Sequence, residues 1–135
     1  MIRAIAIDRT IPVGEFSVRA ETLTIDDEGF EFVWSVSPVP VRPEPVLDPD
    51  SGRTRIERFF APLSIWWSIT DGEGGHYVEG GGSAGGDSDR WRSHTRYLPT
   101  PPSGTRELVL TLSEIVPREN VAGSELETIR VSLAG

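Results

Sequence analysis

One pattern limits what this chain can fold into: its apolar residues recur at every second position, and no stretch repeats at helical spacing. In Phe30-Glu31-Phe32-Val33-Trp34-Ser35-Val36, the side chains of Phe30, Phe32, Trp34 and Val36 project to one side of an extended backbone. Leu63, Ile65, Trp67 and Ile69 repeat the pattern. So do Leu108, Leu110 and Leu112, set against Val109, Thr111 and Ser113, and finally Ile129, Val131 and Leu133. Residues 90–98 place Trp91, Ser93, Thr95 and Tyr97 on one face and Arg92, His94 and Arg96 on the other. One apolar face opposed to one wet face is the mark of antiparallel sheets.

Weaker strands fill the intervals. Residues 2–8 read as an opening strand and residues 76–79 as a short one. Residues 15–26 alternate as Phe16, Val18 and Ala20, then change phase to Leu23 and Ile25, which predicts a bulge or a crossing between sheets. Asp26-Asp27-Glu28-Gly29 and Asp71-Gly72 are hairpin turns by composition. Pro99, Pro101-Pro102 and Ser103-Gly104 mark a connection. The expected fold is all-β: an antiparallel two-sheet β-sandwich, immunoglobulin-like, of about seven or eight strands, with a closed barrel as the alternative. Two long loops complete it. Residues 38–62 are Pro-rich, with room for a strand or helical turn at Ile56–Phe60, and residues 80–90 are Gly-rich.

The 135 residues suit a single domain, 1–135. Area scaling gives roughly 7,000 Å² exposed when folded against about 21,000 Å² unfolded, enough burial for a core without staples. There is no cysteine, so disulfides and thiolate metal sites are excluded. The net charge is −8, and all 13 basic residues are arginine. That balance argues against non-specific binding to nucleic acid or anionic membranes. The N-terminus has no basic region followed by an apolar one, and no stretch approaches the ~20 apolar residues of a membrane span. A complete chain of this kind is expected in the cytoplasm.

The layout resembles an uncharacterised, actinobacterial-type bacterial family of immunoglobulin-like β-sandwich proteins. The resemblance rests on Asp71-Gly72, on His76-Tyr77-Val78, and on the run Gly80–Gly86. It continues through Tyr97-Leu98-Pro99-Thr100-Pro101-Pro102 and Arg106-Glu107-Leu108-Val109-Leu110, so it covers the C-terminal half. It implies a fold and carries no catalytic residue.

Few residues suggest chemistry. The Gly-rich run lacks Gly-Lys-Ser/Thr and leads into a strand, so it is not a phosphate loop. Asp48, Asp50, Asp71, Asp87 and Asp89 are loop carboxylates of the kind calcium takes. However, Asp48-Pro49-Asp50-Ser51-Gly52 has glycine at the third ligand position, and Asp and Gly are also what turns require. His76 and His94 lack zinc spacing and a nucleophile elbow. No cofactor is expected. Arg92, His94 and Arg96 form a basic face suited either to binding or to cross-strand ion pairs. Trp66 points away from Trp67, toward the wet side, and so is either covered by the 38–62 loop or used at an interface. The expected function is a non-enzymatic binding or assembly module acting through a sheet face or the long loops, on a protein partner or a second copy. The alternatives are a carbohydrate- or calcium-binding sandwich, and a hydrolase with His76 or His94 as base.

Overall fold

The computed structural model describes residues 2–86, 89–116 and 121–133. Among these residues ten strands run in chain order. They are β1 (Arg3–Val13), β2 (Phe16–Ile25), β3 (Phe30–Ser37), β4 (Val41–Leu47), β5 (Thr54–Phe60), β6 (Ile65–Asp71), β7 (His76–Gly86), β8 (Trp91–Leu98), β9 (Glu107–Val116) and β10 (Val121–Ser132). No helix occurs among the described residues, and none is long and apolar enough to cross a membrane.

Eight strands form one antiparallel sheet in the order β1-β2-β3-β8-β7-β6-β9-β10. It curls until its two edges nearly meet, with Ile5–Ile7 of β1 facing Ile129–Ser132 of β10 across a groove. β1 and β10 share no ladder among the described residues, so the barrel stops short of closure. The alternation of the sequence becomes the inside of this curl. Phe30, Phe32, Val36, Trp67, Ile69, Leu108, Leu110, Leu112, Ile129 and Val131 form one buried cluster. Each fully buried large apolar side chain contributes about 1.5–3 kcal/mol. Aromatic rings line the interior: Trp91 and Trp34 lie 5.1 Å apart, Trp34 and Trp67 6.2 Å, and Trp67 and Phe32 5.0 Å. Phe30 packs at 5.4 Å from Tyr77 and 5.5 Å from Tyr97.

The phase change in β2 is a bulge. Its register against β3 shifts between Ala20 and Thr22, so Val18, Ala20 and Leu23 all reach the core. Asp26–Gly29 is the β2–β3 turn, closed by the Asp26 amide donating to the Gly29 carbonyl at 2.9 Å. Gly29 is required there, because a Cβ would lie 2.2 Å from the Tyr97 carbonyl oxygen.

Strand β7 changes partner along its length. Tyr77 and His76 pair with Ile69 and Thr70 of β6, whereas Val78–Gly86, among the described residues, pair with β8 alone.

Both expected loops are corrected. The strand allowed at Ile56–Phe60 is present as β5, but the rest of 38–62 is not all loop: β4 pairs with β5 in a hairpin that forms its own two-stranded sheet. Prolines argue against strand, but only where they remove a ladder bond. The backbone bonds Asp48–Arg53 at the tip (2.8 Å) and Ala61–Pro40 at the base (3.0 Å) set the alternation of bonded pairs. Pro43 and Pro45 fall between bonded pairs, with their nitrogens turned away from β5, and no rung is lost. Residues 80–86 of the Gly-rich segment are the second half of β7 rather than loop. Glycine has little preference for strand, but here β8 supplies the backbone pairing.

Candidate functional site

The hairpin β4–β5 stands out from the barrel as an arm. Its attachment is at the base, where Phe60 stacks on Trp91 with ring centroids 5.7 Å apart and planes 25° apart. Residues that pair across a ladder share a face. One face of the arm therefore carries Val41, Pro43, Pro45 and Leu47 of β4 with Thr54, Ile56, Arg58 and Phe60 of β5, apolar except for Thr54 and Arg58. Leu47 is 64% exposed and Ile56 67%. The other face carries the ion pairs Arg42–Glu44 (2.8 Å) and Arg55–Glu57 (2.7 Å), with Val46 and Phe59 beside them. The arm is thus amphipathic, and its apolar side faces water.

The tip is stitched by Asp48. Its carboxylate accepts from the Asp50 amide at 2.9 Å and from the Ser51 hydroxyl at 2.9 Å. These bonds, the Asp50 amide first, hold the Asp48 carboxyl below its ordinary range. Gly52 closes the turn with a left-handed φ of 72°, a conformation glycine adopts without strain.

Trp66 is 47% exposed, and the arm's Phe60 packs on Trp91 instead of covering it. Beside Trp66, where β6 and β7 diverge, a cleft of about 300 Å³ opens between Trp66–Ser68 and Val78–Glu79, with Tyr97 in its wall. Trp67 also lines it, and the buried Trp67 indole Nε1 has no hydrogen-bond acceptor among the described residues.

The basic face is neutralised by its neighbours. Arg92 donates two hydrogen bonds to Glu21, Nε at 3.2 Å and Nη2 at 2.9 Å. Arg96 Nη2 donates to Asp26 at 2.6 Å, and His94 Nδ1 lies 3.3 Å from Glu31. Burial works to raise the Glu21 carboxyl, but the Ser35 hydroxyl and Arg92 outweigh it, and the group stands below its ordinary value. Asp26 is held far lower, first by Arg96 and then by the amides of Glu28 and Gly29. Arg92 and Arg96 thus spend their charge on carboxylates of β2 and of the β2–β3 turn.

The remaining candidates are scattered. His94 lies opposite Ser83 in the β7–β8 ladder, over a groove of about 400 Å³, but no hydrogen bond joins them. His76 is exposed at the start of β7. Asp48 and Asp50 sit at the arm tip, Asp71 at the end of β6, and Asp89 before β8; Asp87 lies outside the described residues. Asp71 is committed to its turn, accepting from the amides of Gly75 (2.8 Å) and Glu73 (2.9 Å) and from the Tyr77 hydroxyl (3.0 Å). Among the described residues no group of three or more potential metal ligands assembles.

The arm is the feature that residue-by-residue reading missed. Its signal was present: Val41, Pro43 and Pro45 alternate with Arg42 and Glu44 through the proline run. No protein-family model matches this chain, and no curated protein or solved structure matches it either.

Proposed function

We propose that this protein is a non-enzymatic binding or assembly module whose docking element is the β4–β5 arm. The observation that carries the reading is the largely apolar face of Val41, Pro43, Pro45, Leu47, Ile56 and Phe60, interrupted by Arg58 and Thr54 and exposed on a hairpin whose ring contact with the barrel is at its base. An isolated two-stranded hairpin is marginal in water, so an apolar arm gains most of its stability from what it docks against. Large exposed apolar patches mark interaction sites. Total area points the same way. The chain exposes 8626 Å², against about 7,000 Å² expected for a folded monomer of 14.8 kDa.

The immunoglobulin-like sandwich of the resembled family fits as the body that carries the arm. Its support is the thin link between β6 and β7, which divides the sheet into a β1-β2-β3-β8-β7 leaf and a β6-β9-β10 leaf.

The test is site-specific photo-crosslinking in the cell that makes the protein. A photoreactive residue at Ile56 is expected to give discrete protein adducts, identified by mass spectrometry. The same residue at Arg130, exposed on the barrel wall, is expected to give none of them. Equal labelling at both positions, or none at Ile56, overturns the reading.

A further inference from the structure

We propose that the arm's occupant is a second copy of this chain, and that strand β5 of one copy adds to the open edge of β7 of the other. This deepens the docking reading above and rests on it.

The first argument is which edges are left open. The outward edge of β4 lacks two donors, because the nitrogens of Pro43 and Pro45 face away from β5. Proline on an edge blocks strand addition. The outward edge of β5 keeps its donors: Thr54, Ile56, Arg58 and Phe60 occupy the same non-bonded positions opposite Leu47, Pro45, Pro43 and Val41. The arm therefore has one protected edge and one competent one.

The second argument is the receiving strand. Val78–Gly86 of β7 pair with β8 on one side and with nothing on the other, among the described residues. This stretch reads Val-Glu-Gly-Gly-Gly-Ser-Ala-Gly-Gly, so past Glu79 it has no charge, proline or bulky side chain to discourage a neighbour. A glycine-rich edge admits a close backbone, and β5 brings the bulk it lacks in Ile56 and Phe59. The cleft at the head of this edge is lined by Trp66, Trp67 and Val78, with Trp66 47% exposed and Val78 64% exposed, so an arriving strand meets apolar surface there.

The third argument is size and charge. The folded chain exposes about 1,600 Å² more than area scaling allows for its mass, while a standard interface takes about 800 Å² from each partner. Arg58 on β5 and Arg53 just before it bring cations to a chain whose net charge is −8, with Glu79 at the entry of the receiving edge.

The test is the molar mass of the full chain by light scattering and sedimentation over a range of concentrations. Three proteins are compared: the native chain, Ile56→Pro and Gly85→Lys. Ile56→Pro removes an outward donor without removing a rung of the arm. Gly85→Lys places a charge on the receiving edge where an added Cβ meets no atom within 4 Å. Circular dichroism and thermal melts verify that both variants remain folded. The expected result is a concentration-dependent multimer for the native chain and a monomer for both variants, with the dissociation constant weakened at least tenfold. A native chain that stays monomeric overturns the proposal, and crosslinks from Ile56 to other proteins would then leave the docking role of the arm intact. A multimer abolished by Ile56→Pro but unchanged by Gly85→Lys overturns the β7 edge as receiver. A multimer unchanged by either variant overturns strand addition altogether.

Discussion

Phe60 lies flat against Trp91, with ring centroids 5.7 Å apart, and this stack joins the arm to the barrel. Trp91 in turn packs edge-on against Trp34 at 5.1 Å, so the base of the arm rests on the interior row of aromatic rings. Aromatic pairs of this kind contribute about 0.5–1.5 kcal/mol beyond their buried area. Phe60→Ala is expected to lower global stability by only about 1 kcal/mol. It should release the arm: amide hydrogen exchange across residues 41–60 rises sharply while that of β3 and β9 stays slow. Uniformly faster exchange would show that the arm is not a separable unit.

Phe32 is fully buried and touches Trp67 at 5.0 Å. Phe32→Ala leaves a cavity in the middle of the row and is expected to cost about 3–5 kcal/mol in urea unfolding. The contrast with Phe60→Ala is the informative quantity. Equal losses would mean that arm and barrel unfold as one cooperative block.

Acid stability depends on Asp26. Its carboxyl is held below its ordinary value by Arg96 and by the amides of Glu28 and Gly29. The unfolded chain takes up this proton near pH 4, before the folded chain does. The contribution is therefore complete above about pH 4 and is lost as pH falls toward the lower folded value. Thermal melts from pH 7 to pH 2 are expected to fall more steeply for the native protein than for Asp26→Asn, with the two curves converging at the acid end.

The alkaline limb belongs to the two tyrosines. Burial, reinforced by the neighbouring Asp71 carboxylate, pushes the Tyr77 hydroxyl up to about 12, and burial raises Tyr97 as well. Folded protein keeps protons that unfolded chains release near pH 10, so stability falls as pH rises from about 10 toward 12. Ultraviolet titration of the native protein is expected to show no phenolate at pH 10 and a sharp appearance on unfolding. Two tyrosines ionising near pH 10 with the fold intact would contradict the packing of Phe30, Tyr77 and Tyr97.

Alternation made the barrel interior readable. Phe30, Phe32, Leu108, Leu110, Leu112 and Ile129 are inward as their spacing requires, and the phase change at Glu21 is a bulge. Arg92, His94 and Arg96 do share a wet face, but their partners Glu21, Glu31 and Asp26 lie 63 to 71 residues away in sequence, with only the β2–β3–β8 ladder to bring them together. The arm was hidden because proline is weighed as a strand breaker wherever it occurs. Its effect depends on which way its nitrogen faces, and that is set by pairing. The β7 strand was hidden for a related reason: its side chains carry no periodic signal, and its structure is imposed by β8.

The partner change within β7 also decides how the molecule bears force. Among the described residues the β6–β7 ladder has two pairs, Ile69–Tyr77 and Thr70–His76, beside their shared turn, whereas every other neighbouring pair in the large sheet is joined along most of its length. The opposite junction, between β1 and β10, carries no ladder at all among the described residues. A load pulling the two leaves apart thus meets two weak lines on opposite sides of one shell. The shell is expected to hinge open there like a clasp, long before any individual leaf unravels.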